Sequence, residues 1–369
     1  MRVLVATDAI GELGSLAAGR AIASGWAGAE VKVQPVGEAG AGFLTAFADQ
    51  IGAQLTETRA GGLVVTSAVA GQVGALGVRG PEVRPGIPYE ASSIPLGAAA
   101  QELLSIDRLS HLLLDLAGLW VHDGGAGLLA GLGARADVPL DQGVRGLAGI
   151  GSLDLGPTRA ALEGVELIGV VPAAERSQPL LGLRGITSLR GRSAGIEPAL
   201  MLGTDRALER FASLAAADLA SDPGAGACGG LGFAVLALGG RLTTGPAVAL
   251  SSVGTAAVGP DSGSVSVVRG ASVLARRSVD LVITGCSVFD FAARGGGVVA
   301  AAAEVANVAL APCIVIAGEV VIGAREMRTM GIEAAYAVRD SAADRPAPPD
   351  VTADQLAALA RRVARSWTW

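Results

Sequence analysis

The chain has 369 residues, of which 51% are apolar and only 3% aromatic, so it can build a large core from small side chains. A formal net charge of −6 gives no electrostatic support for binding nucleic acid or an anionic membrane. The longest uncharged apolar run, 308–318, is shorter than the ~20 residues of a membrane span, and Asp8 interrupts the region that a signal peptide would need, so we expect a cytoplasmic protein.

Basic and sulfur-containing residues restrict the possible sites. Among 28 basic residues only Lys32 is a lysine, so nearly every cation is an arginine, which binds phosphate through a planar fork rather than as a point charge. The three cysteines, Cys228, Cys286 and Cys313, are far apart and odd in number, which argues against a disulfide framework or a CxxC zinc site. We expect them to be small buried apolar side chains.

The N-terminal part of the chain predicts alternating strands and helices. The predicted elements are strands at 3–6, 31–36 and 63–69 and helices at 15–26 and 43–51. This order is typical of a parallel sheet covered by helices. The glycine- and proline-rich stretch 71–95 is interpreted as a connection.

The remainder of the chain continues the same pattern less regularly. The predicted elements are helices at 98–109, 205–220, 233–238 and 298–306 and strands at 111–116, 165–171, 281–283, 313–317 and 334–338. Short runs separated by turns over 133–192 are typical of a second, less regular lobe. The proline-rich stretch 340–350 predicts a linker, after which Thr352 and Gln355 predict a capping box at the start of a final, docked helix.

The loop after the strand 281–283 is the first place to look for chemistry, because ligands of open α/β sheets bind outside the carboxyl ends of the strands. It contains one carboxylate, Asp290, one basic residue, Arg294, and the thiol of Cys286. A glycine run, 295–297, follows and leads into a predicted helix.

Two further glycine-rich loops precede predicted helices. The stretch 224–229 has the spacing GxGxxG but follows a helix rather than a strand, so it lacks the context of a dinucleotide fingerprint. Its backbone N–H groups could bind an anion at a helix N-terminus, and a tight structural turn is an equally good interpretation. The same alternatives apply to 123–127, and the neighbouring His122 is more often a structural side chain in such a place. The motifs GxxxxGK[ST], GxSxG and HExxH do not occur in the sequence.

Six blocks resemble, in the same order, motifs of the bacterial glycerate 2-kinase family. They are 5–8, 35–42, 123–129, 178–185, 223–232 and 280–285, the last of which is the same as the family's D-L-V-I-T-G. The resemblance spans nearly the whole chain and implies an α/β protein of two domains, a Rossmann-like parallel-sheet domain and a second mixed α/β domain. The expected domains are 1–60 with 95–135 and 275–369, and 61–94 with 136–274.

The resemblance also implies an activity and a set of site residues. The activity is ATP-dependent phosphorylation of the 2-hydroxyl of D-glycerate, with ATP and magnesium as cofactors. The implied catalytic carboxylates are Asp8, Asp123 and Asp290. The implied substrate- or nucleotide-binding residues are Glu38, Gly40, Gly42, Gly124, Gly125, Gly226, Gly229, Gly230, Gly285 and Arg294, and no metal ligand is assigned.

Charged positions of the family motifs are replaced, whereas the glycines remain. Lysines of the family fall on Gly11, on Gly297 and within 191–195, glutamates fall on Ala41 and Cys286, an arginine falls on Val288, and polar residues fall on Leu119, Val121 and His122. Because phosphoryl transfer depends on cations and carboxylates, we expect weak or no kinase activity. Arg184, Arg192 and Arg294 lie close in sequence to the replaced positions and could compensate in part.

Three functions are left open by these residues. The first is a glycerate kinase of weak activity that binds a nucleotide and a small hydroxy acid such as D-glycerate. The second is a non-catalytic descendant that binds a ligand or a protein partner. The third is an altered enzyme that acts on another small hydroxy acid with Cys286 as nucleophile. None of the three involves nucleic acid or a membrane.

Overall fold

The computed structural model describes residues 1–40, 42–60, 62–81, 85–106, 108–251, 279–339 and 350–367. The chain forms two compact units, Met1–Ala53 with Gly245–Trp369, here called the terminal unit, and Gln54–Thr244, here called the central unit. Most of the expected linker at 340–350, and Ala41 in the second glycine loop, lie outside the described residues. Within the described part, no helix has the length and apolar character needed to cross a membrane.

The strands and helices are numbered in chain order. The strands are β1 Arg2–Thr7, β2 Glu30–Pro35, β3 Leu55–Ala60, β4 Leu63–Ala70, β5 Val73–Arg79, β6 His111–Asp115, β7 Arg135–Ala136, β8 Leu153–Asp154, β9 Glu166–Val170, β10 Arg241–Thr243, β11 Leu281–Thr284, β12 Val288–Phe289, β13 Cys313–Ala317, β14 Glu319–Val320 and β15 Ala334–Ala337. The helices are α1 Ser15–Ala23, α2 Phe43–Ile51, α3 Ile94–Ile106, α4 Ala126–Gly131, α5 Gly143–Gly146, α6 Gly156–Ala161, α7 Ile186–Ser193, α8 Pro198–Ala216, α9 Ala227–Ala237, α10 Gly245–Ser251, α11 Gly297–Ala309, α12 Ala324–Thr329 and α13 Ala353–Trp367.

The terminal unit is built on a parallel sheet of five strands in the order β15-β13-β11-β1-β2. Successive side chains of β1 point to opposite faces, as the period of a strand requires. Val3 and Val5 pack in a cluster with residues of α1 and α13, whereas Leu4 and Ala6 pack in a cluster with residues of α11. Helices therefore cover both faces, which explains why the strands read as continuous apolar runs.

The final helix begins as the sequence predicts. Thr352 N–H donates to Gln355 Oε1 at 2.9 Å and Gln355 N–H donates to Thr352 Oγ1 at 3.3 Å, so the capping box is confirmed. Leu356 and Val363 are buried in the cluster that covers one face of the parallel sheet. The helix is thus docked on the sheet of its own unit.

The central unit contains a mixed sheet of six strands in the order β10-β9-β6-β5-β4-β3. Strands β3, β4 and β5 are antiparallel neighbours, whereas β5, β6, β9 and β10 run parallel. The prediction that 71–95 is only a connection is wrong, because it contains β5. Glycines interrupt the apolar pattern of this strand, and Gly74 is required there because a Cβ would lie 2.8 Å from Leu109 Cδ1.

The units of the structure differ from the expected domains. The segment 95–135 was expected beside the two ends of the chain, but β6 pairs with β5 and β9 and so places this segment in the central unit. The change of unit also occurs at residues 53 and 245 rather than 60 and 275. Two parallel strands joined by one helix, here β5, α3 and β6, usually belong to one sheet. Because 71–95 was interpreted as a connection, β5 was missed and β6 was assigned to the wrong domain. The fold class, a parallel-sheet domain with a second mixed α/β domain, is confirmed.

Candidate functional site

The parallel sheet of the terminal unit changes direction of winding between β1 and β11. The chain passes from β1 to β2 on one side, whereas β11, β13 and β15 follow one another on the other side. Ligands of open α/β sheets bind at such a switch point, outside the carboxyl ends of the strands. Asp8 follows β1 and Gly285 follows β11, and Asp8 N–H donates to Gly285 O at 3.0 Å. We call Asp8 together with the loop 285–290 the β1–β11 site.

Asp8 is held in place by the loop that follows it. Its Oδ1 accepts a hydrogen bond from Ala9 N–H at 2.8 Å. Ser287 Oγ accepts from Gly11 N–H at 3.0 Å and lies 3.4 Å from Ala9 O, so the loop after β11 fixes the loop after β1. Burial raises the pKa of Asp8 above its ordinary value, and the hydrogen bond from Ala9 N–H opposes this rise.

Asp290 lies at the other end of the β1–β11 site. Its Oδ1 accepts from Ala292 N–H at 2.9 Å and caps the 3-10 turn Phe291–Gly295. The pKa of the Cys286 thiol is raised to about 12, mainly by burial and further by the negative charges of Asp8 and Asp290. Asp8 is bonded through its N–H to Gly285, next to Cys286, and Asp290 follows in the same loop after β11, so both carboxylates belong to this site.

Cys286 does not have the environment of a nucleophile. A reactive cysteine needs a lowered pKa so that the thiolate forms near neutral pH, but the pKa of Cys286 is raised to about 12. Its Sγ lies 3.3 Å from Val288 O, to which the thiol donates. The structure therefore gives no support to the hypothesis of an enzyme that uses Cys286 as nucleophile.

The glycine loop after β2 reaches the same site. Gly42 N–H and Phe43 N–H both donate to Glu38 O, at 3.1 and 2.9 Å, and form the tight start of α2. A Cβ on Gly42 would lie 3.8 Å from Asp8 Oδ1, so the loop passes beside this carboxylate. A Cβ on Gly297 would lie 3.2 Å from Glu38 Oε1, which places the Glu38 carboxylate at the start of α11.

Three further residues that were predicted for binding lie in these loops. Gly40 has φ +83°, which suits glycine, and belongs to the loop that packs beside Asp8. Arg294 lies in the turn Phe291–Gly295, and its side chain is outside the described part of the structure. Gly285 is close to the backbone of β13, because a Cβ there would lie 2.1 Å from Ile316 O.

Asp123 belongs to the central unit and anchors a loop. Its Oδ1 accepts from Gly125 N–H at 2.9 Å, and its Oδ2 accepts from Ser93 N–H, Ser93 Oγ–H and Gly127 N–H at 2.8, 2.7 and 3.2 Å. Burial raises the pKa of Asp123, and these hydrogen bonds oppose the rise. Both oxygens are occupied, and the side chain is fully buried, so the geometry favours a structural role over contact with a substrate.

The glycine-rich segment 224–230, which leads into α9 and kinks its first turn, packs tightly against the loop that holds Asp123. Cys228, Gly229 and Gly230 all have positive φ, at 53°, 73° and 97°. A Cβ on Gly229 would lie 1.9 Å from Val121 O, and one on Gly230 would lie 2.5 Å from Gly124 Cα. This close approach accounts for the glycines as a structural turn.

Several N–H groups of the same loop are used within the protein. Gly226 N–H donates to Gln178 O at 2.8 Å, and Cys228 N–H donates to Glu175 Oε2 at 2.6 Å. The carboxylate of Glu175 therefore occupies a donor that an anionic ligand could have used.

His122 is a buried structural side chain, in agreement with the more common interpretation of its position. Its Nε2 lies 3.0 Å from Thr187 Oγ1, and its Nδ1 lies 3.4 Å from Arg190 Nη1. Burial, with a smaller effect of the Arg190 charge, lowers the pKa of His122 to about 3. The imidazole is therefore neutral at physiological pH.

Arg190 is the residue that sequence reasoning missed. It lies on the buried side of α7, with its Cζ 3.9 Å from the centroid of the Trp120 ring. Arg192, which was expected as a replacement cation, is exposed and donates to Ser188 O and Leu183 O at 3.0 and 2.8 Å. The spacing of Arg190 from the apolar Ile186, one helical turn before it, is the signal that could have identified it.

Comparisons with known proteins agree with this architecture. A family model described as the glycerate kinase family matches residues 3–368. A glycerate kinase of Bacillus subtilis is 26% identical over 99% of this chain and 97% of its own length. An uncharacterised protein of Mycobacterium bovis is 29% identical over 99% of this chain and 91% of its own length. A crystal structure assigned as glycerate kinase 2 of Salmonella typhimurium has a TM-score of 0.77 at 24% identity and covers 100% of this chain and 98% of that chain.

Proposed function

Because this chain belongs to the glycerate kinase family, we propose that it transfers the γ-phosphate of ATP to a hydroxyl group of a small hydroxy acid such as D-glycerate, at low rate. The observation that carries the proposal is the presence of two carboxylates, Asp8 and Asp290, in the loops that follow β1 and β11 at the switch point of the parallel sheet. A kinase site needs carboxylates there to bind a metal or to orient the attacking hydroxyl.

The two carboxylates fit a magnesium ion that a nucleotide brings with it. Such ions are held by one or two protein carboxylates, and phosphate and water supply the other ligands. Oδ2 of Asp8 and Oδ2 of Asp290 have no hydrogen-bond partner within the described part of the chain. A magnesium ion held there would supply positive charge to offset the negative charge of the phosphate groups. Asp8 and Asp290 are therefore proposed to hold it.

The start of α11 is the proposed position of phosphate. The first N–H groups of a helix have no partner within the helix, and no described side chain caps this helix. The Glu38 carboxylate beside Gly297 repels an anion at the same place. We infer that the nucleotide binds weakly.

The low rate follows from the missing cations. The only lysine, Lys32, lies exposed in the middle of β2, away from the carboxyl ends of the strands. Removal of one contact that stabilises transition-state charge typically lowers the rate by about 10²–10³. Arginine side chains can replace only part of this, because their planar fork does not match a point charge.

The proposal is tested by ATP consumption that depends on D-glycerate and magnesium. Asp290→Asn keeps the capping oxygen of the 3-10 turn and removes the charge, so we expect it to lower turnover at least tenfold while the fold is retained. Glu304→Gln makes the same change of charge on the exposed side of α11 and should leave turnover unchanged. Equal turnover of Asp290→Asn and the unchanged protein would exclude the proposed site.

Calorimetry separates this function from a non-catalytic one. Heat of binding for D-glycerate and Mg-ATP without any turnover would identify a ligand-binding descendant of a kinase. We expect both heat of binding and slow turnover.

A further inference from the structure

Arg190 is a buried cation in the central unit, and it forms no ion pair with a described carboxylate. Its residue surface is 8% exposed, and arginine is rarely buried to this extent unless it is paired. We call Arg190, Trp120, His122 and Glu175 the Arg190 cluster.

The guanidinium is fixed by three contacts. Nη1 donates to Val121 O, Nη1 also lies 3.4 Å from His122 Nδ1, and Cζ lies 3.9 Å from the centroid of the Trp120 ring. The ring attracts the cation through its quadrupole and holds the guanidinium over its face. The backbone of Gly229 leaves room beside Nη1, because a Cβ there would lie 3.0 Å from this atom.

No carboxylate of the described residues forms an ion pair with Arg190, since the salt bridges among them involve other groups. Glu175 acts on Arg190 only through space, and its Oε2 accepts from Cys228 N–H at 2.6 Å. His122 is neutral and supplies no charge. A cation taken out of water without a direct counter-charge costs several kcal/mol, which a bound anion would offset.

The remaining donors of Arg190 are open to a ligand. Among the described residues, only Nη1 of Arg190 has a hydrogen-bond acceptor, and neither Nε nor Nη2 is a buried atom without a partner. These N–H groups therefore reach the surface, although most of the residue is covered. A guanidinium fixed on a ring can donate from two N–H groups to two oxygens of an oxyanion, whether a carboxylate or a phosphate.

We propose that Arg190 binds the oxyanion of a ligand, a carboxylate or a phosphate, with Trp120 as the platform and Val121 O and His122 as the groups that orient the guanidinium. The choice of ligands rests on the proposed function, which supplies two oxyanions, the carboxylate of a hydroxy acid and the phosphates of a nucleotide. The site itself does not depend on turnover.

The test is a titration of the full chain with inorganic phosphate, D-glycerate and Mg-ATP, followed by calorimetry and by the shift of Tm. We expect Arg190→Gln to weaken binding of at least one of these ligands tenfold or more and Arg190→Lys to restore part of it. Arg192→Gln is the matched control, because it removes an exposed arginine from the same helix, and it should bind as the unchanged protein does. If Arg190→Gln binds all three ligands with unchanged affinity, the proposal is overturned.

The ligand arms identify the source of the oxyanion. An effect of Arg190→Gln confined to D-glycerate assigns the site to a carboxylate, and an effect shared by inorganic phosphate and Mg-ATP assigns it to phosphate.

A second variant keeps the proposal testable if Arg190→Gln does not fold. Glu175→Gln retains an oxygen for Cys228 N–H but removes the negative charge near the guanidinium, so we expect anion binding to become several-fold tighter. Unchanged or weaker binding by Glu175→Gln would contradict an anion site at Arg190.

Failure of this inference is distinguishable from failure of the proposed function. If ligand binding depends on Arg190 but the protein shows no turnover, the anion site is supported and the proposed kinase activity is excluded. If Arg190→Gln changes neither turnover nor ligand binding, the kinase activity stands and the anion site at Arg190 is excluded.

Discussion

His122 makes the stability of the protein depend on pH, because burial lowers its pKa to about 3. Between this value and the ordinary pKa of about 6.5, the unfolded chain binds a proton that the native imidazole does not bind. The free energy of unfolding therefore falls as the pH falls through this window, and we expect a loss on the order of 3 kcal/mol between pH 7 and pH 4. Urea unfolding at several pH values measures this loss.

The variant His122→Gln isolates the contribution of the imidazole. Glutamine cannot be protonated, so the variant should lack this part of the pH dependence. Asp8 and Asp123 have a raised pKa and act in the opposite direction, because their native forms hold a proton more tightly than the unfolded chain. The relevant quantity is thus the difference between variant and unchanged protein, and a difference that is constant with pH would refute a buried neutral imidazole.

Single residues show how far sequence reasoning reaches. The motif that contains Asp8 placed this carboxylate at a strand end, and the structure has it there. Asp123 was assigned to catalysis from its motif, but two of the four hydrogen bonds that it accepts come from Ser93, thirty residues away, which no local pattern indicates. Arg190 was missed for the same reason, because its partners Trp120 and Val121 lie on another segment.

The glycine-rich segment 224–230 at the start of α9 is the element in which glycine is most strictly required. We expect Gly229→Ala to destabilise the protein by several kcal/mol, because its Cβ would lie 1.9 Å from Val121 O and its φ is +73°. Gly203, inside α8, has no atom within 4 Å of its Cβ position, so Gly203→Ala should stabilise the protein by about 0.5–1 kcal/mol. Chemical unfolding of both variants measures the contrast, and similar effects would contradict the described packing.

The end of α11 offers a stabilising substitution. Leu310 has φ +54° and is 93% exposed, so it bears the strain of a left-handed residue without burying its side chain. We expect Leu310→Gly to raise the free energy of unfolding by about 1 kcal/mol. Val308→Gly, two residues earlier inside the helix, should lower it by a similar amount. A loss of stability in Leu310→Gly would show that the helix does not end in this conformation.

Elements with strong local signals were predicted and those without were not. The capping box of α13 and the buried runs of β11 and β13 carry their own pattern, and the structure has each of them. Strand β3 was missed because it is polar and pairs only at the edge of its sheet, and β5 was missed because two glycines break its pattern. In both cases the partner strand, rather than local sequence, decides the structure.

At the scale of the whole molecule, the central unit should fold by itself. Its six-stranded sheet and a large apolar cluster are formed entirely by residues of Gln54–Thr244. We expect a fragment of these residues to unfold cooperatively in urea, with helical and strand content by circular dichroism. A fragment with Gly229→Ala serves as the less stable control. A fragment without cooperative unfolding would contradict the independence of this unit.

The family and the fold were predictable because glycine-rich loops and buried strands with clear sequence patterns occur along the whole chain. The match of the family model to residues 3–368 agrees with this. The level of activity is not predictable in the same way, because it depends on a few charges at the β1–β11 site. Asp8 and Asp290 lie at this site, and Lys32, the single lysine of the sequence, lies away from it on β2. We therefore expect low activity, although the backbone of the β1–β11 site has the fold of the family.

The most direct test is mass spectrometry of the products formed from ATP and D-glycerate by the purified chain, beside Asp8→Asn and Asp290→Asn. We expect phosphoglycerate to accumulate slowly with the unchanged chain and at least tenfold more slowly with either variant. Absence of phosphoglycerate from the unchanged chain, or equal accumulation in all three, would contradict it.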